Sequence, residues 1–419
     1  MSKSSILSKS YNLIKTGLIV ILLVNIHSVA FSQTDTSKTI AVVDNSKMKW
    51  YESFSIRGYS QVRYNRLLET NENLGCEQCD RSWGRGGGFF IRRMRIIFFG
   101  QISKRVYFYI QPDFGSATGT TQNIFQLRDA YIDLGLDKKN EFRFRIGQSK
   151  VPFGFENMQS SQNRLPLDRA DALNSAVSNE RDLGVFFYWA PQNVRTQFAD
   201  FVRNNEKGSG DYGVFAFGAY NGQTANRAEQ NKKLHIVSRF SYPIKVRNQI
   251  IEPGLQAYTG EFVLPTDLRS ANVKAVKSFE FRDERVAASF ILYPRPFGIQ
   301  AEYNIGRGPQ YNPLSDSIEV RNLKGGYATF SCMIKSKNKK DMVFFPFTRV
   351  QQYKGGKKHE LDTRAYEVKE LELGVEWQLN KNFELTTMYT FSQRRFEDSR
   401  LKNNLQKGQL LRLQVQLNF

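Results

Sequence analysis

The chain has 419 residues with 60 Lys and Arg against 40 Asp and Glu, a formal charge of +20 that favours anionic partners. Its mean hydropathy of −0.49, with no apolar run of bilayer length, excludes a helical membrane protein. It does not exclude a membrane β-barrel, in which only alternate residues face lipid.

The first fifteen residues are basic, with Lys3, Lys9 and Lys15 and no acid, and "GLIVILLV" follows. Ala30 and Ser32 then stand at the spacing of a cleavage site, so residues 1–32 read as a secretory signal peptide cut after Ser32. Residues 33–52 are expected to be a short periplasmic segment, and 53–419 the folded body. Export argues against a nucleic-acid partner.

Short segments of period two fill the body. "SFSIRGYSQVRYN" sets Phe54, Ile56, Val62 and Tyr64 against Arg57, Tyr59, Gln61 and Arg63. Between it and the next segment, Cys76 and Cys79 form "CEQC", which in an exported chain reads as a small loop disulfide rather than a redox site. "KRVYFYIQPDF" sets Val106, Phe108, Ile110 and Phe114 against Arg105, Tyr107, Tyr109 and Asp113. "EFRFRIGQS" sets Phe142, Phe144 and Ile146 against Arg143 and Arg145. "VKELELGVEWQL" sets Leu371, Leu373, Val375, Trp377 and Leu379 against Glu370, Glu372 and Glu376, and "GQLLRLQVQLNF" closes the chain on Phe419. Helical periodicity is almost absent.

Connectors alternate between short ones (near Ser103, 137–140, 294–296, 336–340, 380–382) and long ones (near 67–86, 150–182, 221–232, 261–283, 307–323, 352–363, 395–407). Residues 191–210 are the exception, a connection too long for its place. About sixteen strands with this rhythm predict an all-β, transmembrane antiparallel barrel with both termini at the short-turn, periplasmic side. The alternative is a soluble periplasmic sandwich or β-helix. Against it stand aromatics at the ends of the apolar faces (Phe89, Phe90, Trp189, Tyr220, Tyr303, Phe383) and a polar face rich in arginine.

A barrel of this size encloses an aqueous channel. Alternation aims Arg57, Arg63, Arg105, Arg143, Arg145, Arg239, Arg285 and Arg412 inward, with Lys150 at the start of a long loop. Rings of Arg and Lys suit anion passage, because each guanidinium stays charged and forks onto phosphate or carboxylate oxygens. Glu370, Glu372 and Glu376 face the same lumen, and Glu302 is a further candidate.

"FFIRRMRIIFFG", "LRDAYIDL", "RIGQSKVPFGFENMQSS" and "DRADALNSAVSNERDLGV" resemble the phosphate-selective porin O and P family. The resemblance implies a trimeric, sixteen-stranded outer-membrane barrel of a Gram-negative bacterium whose third long loop, here 150–182, folds inward as the constriction. It implies an anion site at Arg92 and Arg93, Asp129 of "DAY", Ser160, Ser161 and Arg169. Two positions depart from the pattern: Arg95 stands where a tyrosine is expected, and Asn157 where a loop lysine is expected, with Lys150 near. Adjacent strand residues point opposite ways, so one of Arg92 and Arg93 must lie in a bulge, snorkel, or face a trimer contact. The terminal Phe419 resembles the signal read by barrel-assembly machinery. The expected function is passive diffusion of small anions, phosphate or polyphosphate among them. A non-selective or plugged structural barrel is the alternative. A barrel hydrolase is disfavoured, because His235 and His359 lack a serine motif nearby. No cofactor or metal is expected, since the three histidines are scattered and one cysteine pair offers too few zinc ligands.

Overall fold

The computed structural model describes residues 50–419 except 79, 81–82, 85–87, 119–120 and 340. The signal-peptide and most of the periplasmic-segment expectations therefore lie outside the described residues, as does Cys79.

Sixteen principal strands form one closed antiparallel sheet. They are β1 Phe54–Leu67, β2 Phe89–Ser103, β3 Val106–Thr118, β4 Thr121–Gly135, β5 Phe142–Lys150, β6 Arg181–Trp189, β7 Phe215–Tyr220 and β8 His235–Ser241. There follow β9 Gln249–Val263, β10 Glu280–Leu292, β11 Phe297–Asn312, β12 Ser317–Cys332, β13 Val343–Gly356, β14 Ala365–Gln378, β15 Phe383–Glu397 and β16 Leu405–Asn418. Each strand pairs with the next, and β16 pairs with β1, so no edge is left open. At the seam Gly58 and Phe419 exchange backbone hydrogen bonds of 2.7 and 3.0 Å. A Cβ at Gly58 would meet the Phe419 ring at 2.5 Å, so glycine there makes room for the terminal aromatic.

Burial is inverted relative to a soluble protein. Leu255 is 63% exposed, Val286 55% and Ile305 55%, whereas Arg63, Arg285 and Arg412 are at most 2% exposed. An exterior that is apolar strand after strand is a lipid-facing surface and excludes the sandwich reading.

Several sequence expectations change. The stretch 307–323 is not a long loop, because β11 and β12 pair down to Asn312 and Ser317. Only two residues separate β3 from β4, on the side where other connections are long. Tyr220 does not belong to an exterior aromatic girdle; it points inward, packed with Phe186, Tyr188 and Ala216. The connection 190–214 contains a helix that periodicity analysis passed over.

Among the described residues three α-helices lie between strands: α1 Phe155–Met158, α2 Asp171–Asn174 and α3 Gln192–Arg203. Val151, Phe153, Ala172 and Leu173 share one apolar cluster with the inward side chains Phe186, Val237, Tyr258 and Tyr327. Burial of each large side chain there contributes about 1.5–3 kcal/mol. Val194, Phe198 and Phe201 of α3 form a second cluster with Phe155, Ile250, Ile291 and Tyr293.

Candidate functional site

Residues 150–182 are bonded to side chains of β1, β2, β10, β11, β13, β15 and β16. Arg285 on β10 donates to the Ala172 and Ser175 carbonyls at 3.1 and 3.0 Å. Glu302 on β11 accepts the Phe155 and Glu156 N–H groups at 2.7 and 2.8 Å. Arg349 on β13 pairs with Glu156 at 3.0 Å and donates to the Asp168 carbonyl at 2.8 Å. Arg394 on β15 pairs with Asp171 at 2.8 Å. Asp168 receives Arg63 at 3.0 Å and Arg412 as a close ion pair, with Arg92 at 3.8 Å. Burial alone would raise the Asp168 carboxyl, but Arg63, Arg412 and Arg92 hold it far below the usual range.

Two cavities flank this segment. One, of about 790 Å³, opens toward the long connections and is lined by Arg92, Arg93, Arg95, Arg128, Arg169 and Glu180 among others. The other, of about 470 Å³, opens toward the short turns and is lined by Arg57, Arg105, Arg143, Arg145, Lys150, Asp129 and Ser160 among others. Neighbouring residues line opposite sides of the divide: Arg128 and Asp129, or Glu180 and Arg181.

The bulge required for adjacent inward arginines is present. Gln61 faces Arg93 and Val62 faces Ile91, so Arg92 is the extra residue. A Cβ on Gly115 would sit 2.8 Å from the Arg93 Cα, so glycine permits this close approach of β3. Further register shifts run through Gln111–Ala117 on β3.

The predicted residues thus divide between the two cavities rather than forming one cluster. Arg93 donates to the Gln61 amide oxygen at 2.7 Å, and among the described residues no carboxylate pairs with it. Arg95 is held by Asp113 at 2.6 Å and donates to the Tyr59 hydroxyl at 2.8 Å. That hydroxyl also shares a 2.6 Å hydrogen bond with Ser161. A tyrosine from β1 therefore stands beside the position where the family pattern would place one. Asp129 is taken by Arg181 at 2.9 Å. Ser160 lines the short-turn cavity. Arg169 donates to Asn157 at 2.8 Å and Asn174 at 2.6 Å. Lys150 donates to the Met158 and Gln159 carbonyls at 3.0 and 2.7 Å. Arg145 grips Asp133 through two bonds of 2.7 and 2.8 Å, and Arg143 pairs with Asp211 at 2.8 Å. Arg63 faces inward but is locked between Asp80 and Asp168, lines neither cavity, and serves as an anchor. Arg57 and Arg105 are exposed to the short-turn cavity. Cys76 is disulfide-bonded, and its sulfur accepts from Arg394 at 3.2 Å, while Cys332 is a free thiol.

Sequence reasoning missed two residues. Glu180 receives Arg181 at 2.5 Å, Arg169 at 3.1 Å, Arg164 at 3.3 Å and Lys150 at 3.8 Å. Burial would raise its carboxyl, yet these four cations hold it well below the usual range. Arg128 lines the larger cavity and donates only to amide and carbonyl oxygens of Gln126 and Asn179 among the described residues. It stands inside the quoted "LRDAYIDL", next to Asp129, and its inward aim follows only from the irregular β3–β4 register.

Comparison with solved structures returns porins. The outer membrane channel DcaP of Acinetobacter baumannii aligns at TM-score 0.53 and 12% identity, over 87% of this chain and 97% of that one. OmpF of Salmonella typhi, in complex with daunomycin, aligns at 0.51 and 14%, over 87% and 97%. The anion-selective porin of Comamonas acidovorans aligns at 0.51 and 10%, over 88% and 99%. At such identities the likeness is one of fold. No curated protein matches. The model of the family described as phosphate-selective porin O and P matches residues 75–419, and with the closed barrel it makes this chain an outer-membrane porin that belongs to that family.

Proposed function

We propose that the barrel passes small anions by passive diffusion, with phosphate-bearing ones such as phosphate or polyphosphate favoured. The observation that carries this is the pair Arg93 and Arg128, cavity-lining guanidiniums whose described partners are neutral. A guanidinium without a carboxylate keeps its charge and donors for an incoming anion. Residues 150–182 act as an inward-folded constriction, a reading supported by their contacts to β1, β10, β11, β13, β15 and β16. Past the narrowing, Lys150, Arg145, Arg143, Arg105 and Arg57 offer successive positive positions toward the short turns. Glu180 and Asp129 moderate the charge so that an anion also leaves.

Residues 1–32 serve as the export signal, 33–52 remain periplasmic, and Phe419 is read by the assembly machinery. The comparison with porins supports a homotrimer in the outer-membrane lipid, which native mass measurement in detergent tests. Single-channel recording in a planar bilayer tests the function. Anion-selective current blocked by phosphate is expected. Cation preference overturns the reading, and anion current indifferent to phosphate reduces it to a general anion porin. Absence of current would leave a plugged barrel.

A further inference from the structure

The connection between β6 and β7, residues 190–214, breaks the rule of short turns at its end of the barrel. We infer that it is a second element crossing the lumen, and that with the loop above it confines the ion path to the β1–β6 side. Helix α3 sets Val194, Phe198 and Phe201 against Ile250, Ile291 and Tyr293 from β9 and the β10 end, with Phe201 stacked on Tyr293 at 3.8 Å between centroids. Beyond the helix, Glu206 pairs with Arg295 in the β10–β11 turn at 2.8 Å. Lys207 then pairs with Glu376 at 2.6 Å, and Asn205 donates to Gln378 at 2.5 Å.

Glu376 and Gln378 belong to β14. In a closed ring of sixteen strands, β14 lies eight strands from β6, on the opposite wall. A segment that leaves β6 and is ion-paired to inward side chains of β14 spans the interior. The Lys207 carbonyl accepts from Gln159 at 2.7 Å, which joins the segment to the loop 150–182. It then returns through Asp211, paired with Arg143 and Arg195 at 2.8 Å each.

The cavity at this end agrees with that course. Its lining comes from β1–β6 and their short turns, from residues of the loop, and from the segment's own Arg195, Val202 and Ser209–Tyr212; no residue of β7–β16 takes part. The insertion therefore adds Arg195 and Asp211 to the path while it screens the acid-rich wall carrying Glu376 from passing ions. The Lys207–Glu376 pair, 7% and 2% exposed, is the latch.

The test compares single-channel conductance of the full chain with two variants in planar bilayers. One replaces residues 192–210 by a short Gly-Ser turn, and the other is Lys207→Met with Glu376→Gln. Removing both charges together leaves neither member of this pair as a buried ion without its partner, so the second variant is expected to fold. Folding is followed by heat-modifiable gel migration. The shortened protein should conduct more, by up to about twofold, because the segment and the loop 150–182 lie in series along the path and removing one leaves the resistance of the other. The double variant should show larger current fluctuations. A folded, shortened barrel with unchanged conductance overturns the inference. If that variant does not fold, unchanged conductance and noise in the double variant do so. The inference rests on the chain conducting at all: a silent wild-type protein sinks the channel reading, whereas variants that match a conducting wild type sink only this one.

Discussion

Two walls of the same barrel hold some of their inward arginines in opposite ways. From β10 to β16 the ladders run without a register shift, and Arg349, Arg394 and Arg412 each meet carboxylates on both sides: Glu156 and Glu372, Asp171 and Glu370, Asp168 and Glu372. Over this wall lie Trp83, whose ring faces Arg394 and Arg412, and the disulfide-bonded Cys76. From β1 to β4 the ladders are broken at Arg92 and along Gln111–Ala117, and there Arg93 and Arg128 meet neutral oxygens. A guanidinium enclosed by carboxylates is a rivet that holds the loop; one that lines a cavity and faces amides is available to a solute. Counting inward arginines does not separate the two roles. Their partners do.

The comparison breaks most visibly at Asp168. Asp168→Asn removes the acceptor shared by Arg63 and Arg412 and leaves buried cations underpaired. The expected loss is about 3–5 kcal/mol, read as a lower urea midpoint for the folded band in detergent. Next in size is the opposite wall. Arg93→Met with Arg128→Met should lower the anion-to-cation permeability ratio about tenfold, as loss of ring charges in a pore does, while the urea midpoint stays close to wild type. If this pair destabilises the barrel as much as Asp168→Asn, the walls do not differ in the way stated.

Much of this was open to inspection in the chain itself. Lipid outside and water inside force period-two alternation, so the barrel, its closure by "GQLLRLQVQLNF" and the inward aim of Arg143, Arg145, Arg239, Arg285 and Arg412 follow from local pattern alone. The doublet Arg92–Arg93 left a bulge, a snorkelling side chain or a trimer contact open, because no regular strand aims both inward, and the register chose the bulge. What stayed hidden depends on distance along the chain. Arg63 reads as a free lumen cation until Asp168, 105 residues away, is placed beside it. The 307–323 stretch looks loop-like because of Gly306, Gly308 and Pro309, yet Gly308 pairs with Arg321 and Pro309 with Val320. Helix α3 was legible in principle, since Val194, Phe198 and Phe201 fall at i, i+4 and i+7. It was lost among strands of similar composition.

The finest distinction concerns Glu180, which sits at the divide between the two cavities and touches cations lining each: Lys150 and Arg181 on one side, Arg169 on the other. Its carboxyl is held low, so its contribution to stability is present above the unfolded glutamate value of about 4.3 and is lost only as pH falls through the depressed folded value. The contribution of Glu180 to anion selectivity, read as the difference in reversal potential between wild type and Glu180→Gln in a salt gradient, should therefore hold down to about pH 4.3 and fade only in stronger acid. Glu180→Gln should free Lys150, Arg164, Arg169 and Arg181 for the solute. The phosphate concentration that halves the chloride current should then fall about threefold, because an anion held by more uncompensated donors leaves more slowly. A higher half-blocking concentration would mean that the carboxylate orients Arg169 and Arg181 for the anion instead of competing with it, and would move Glu180 from moderator to positioning residue.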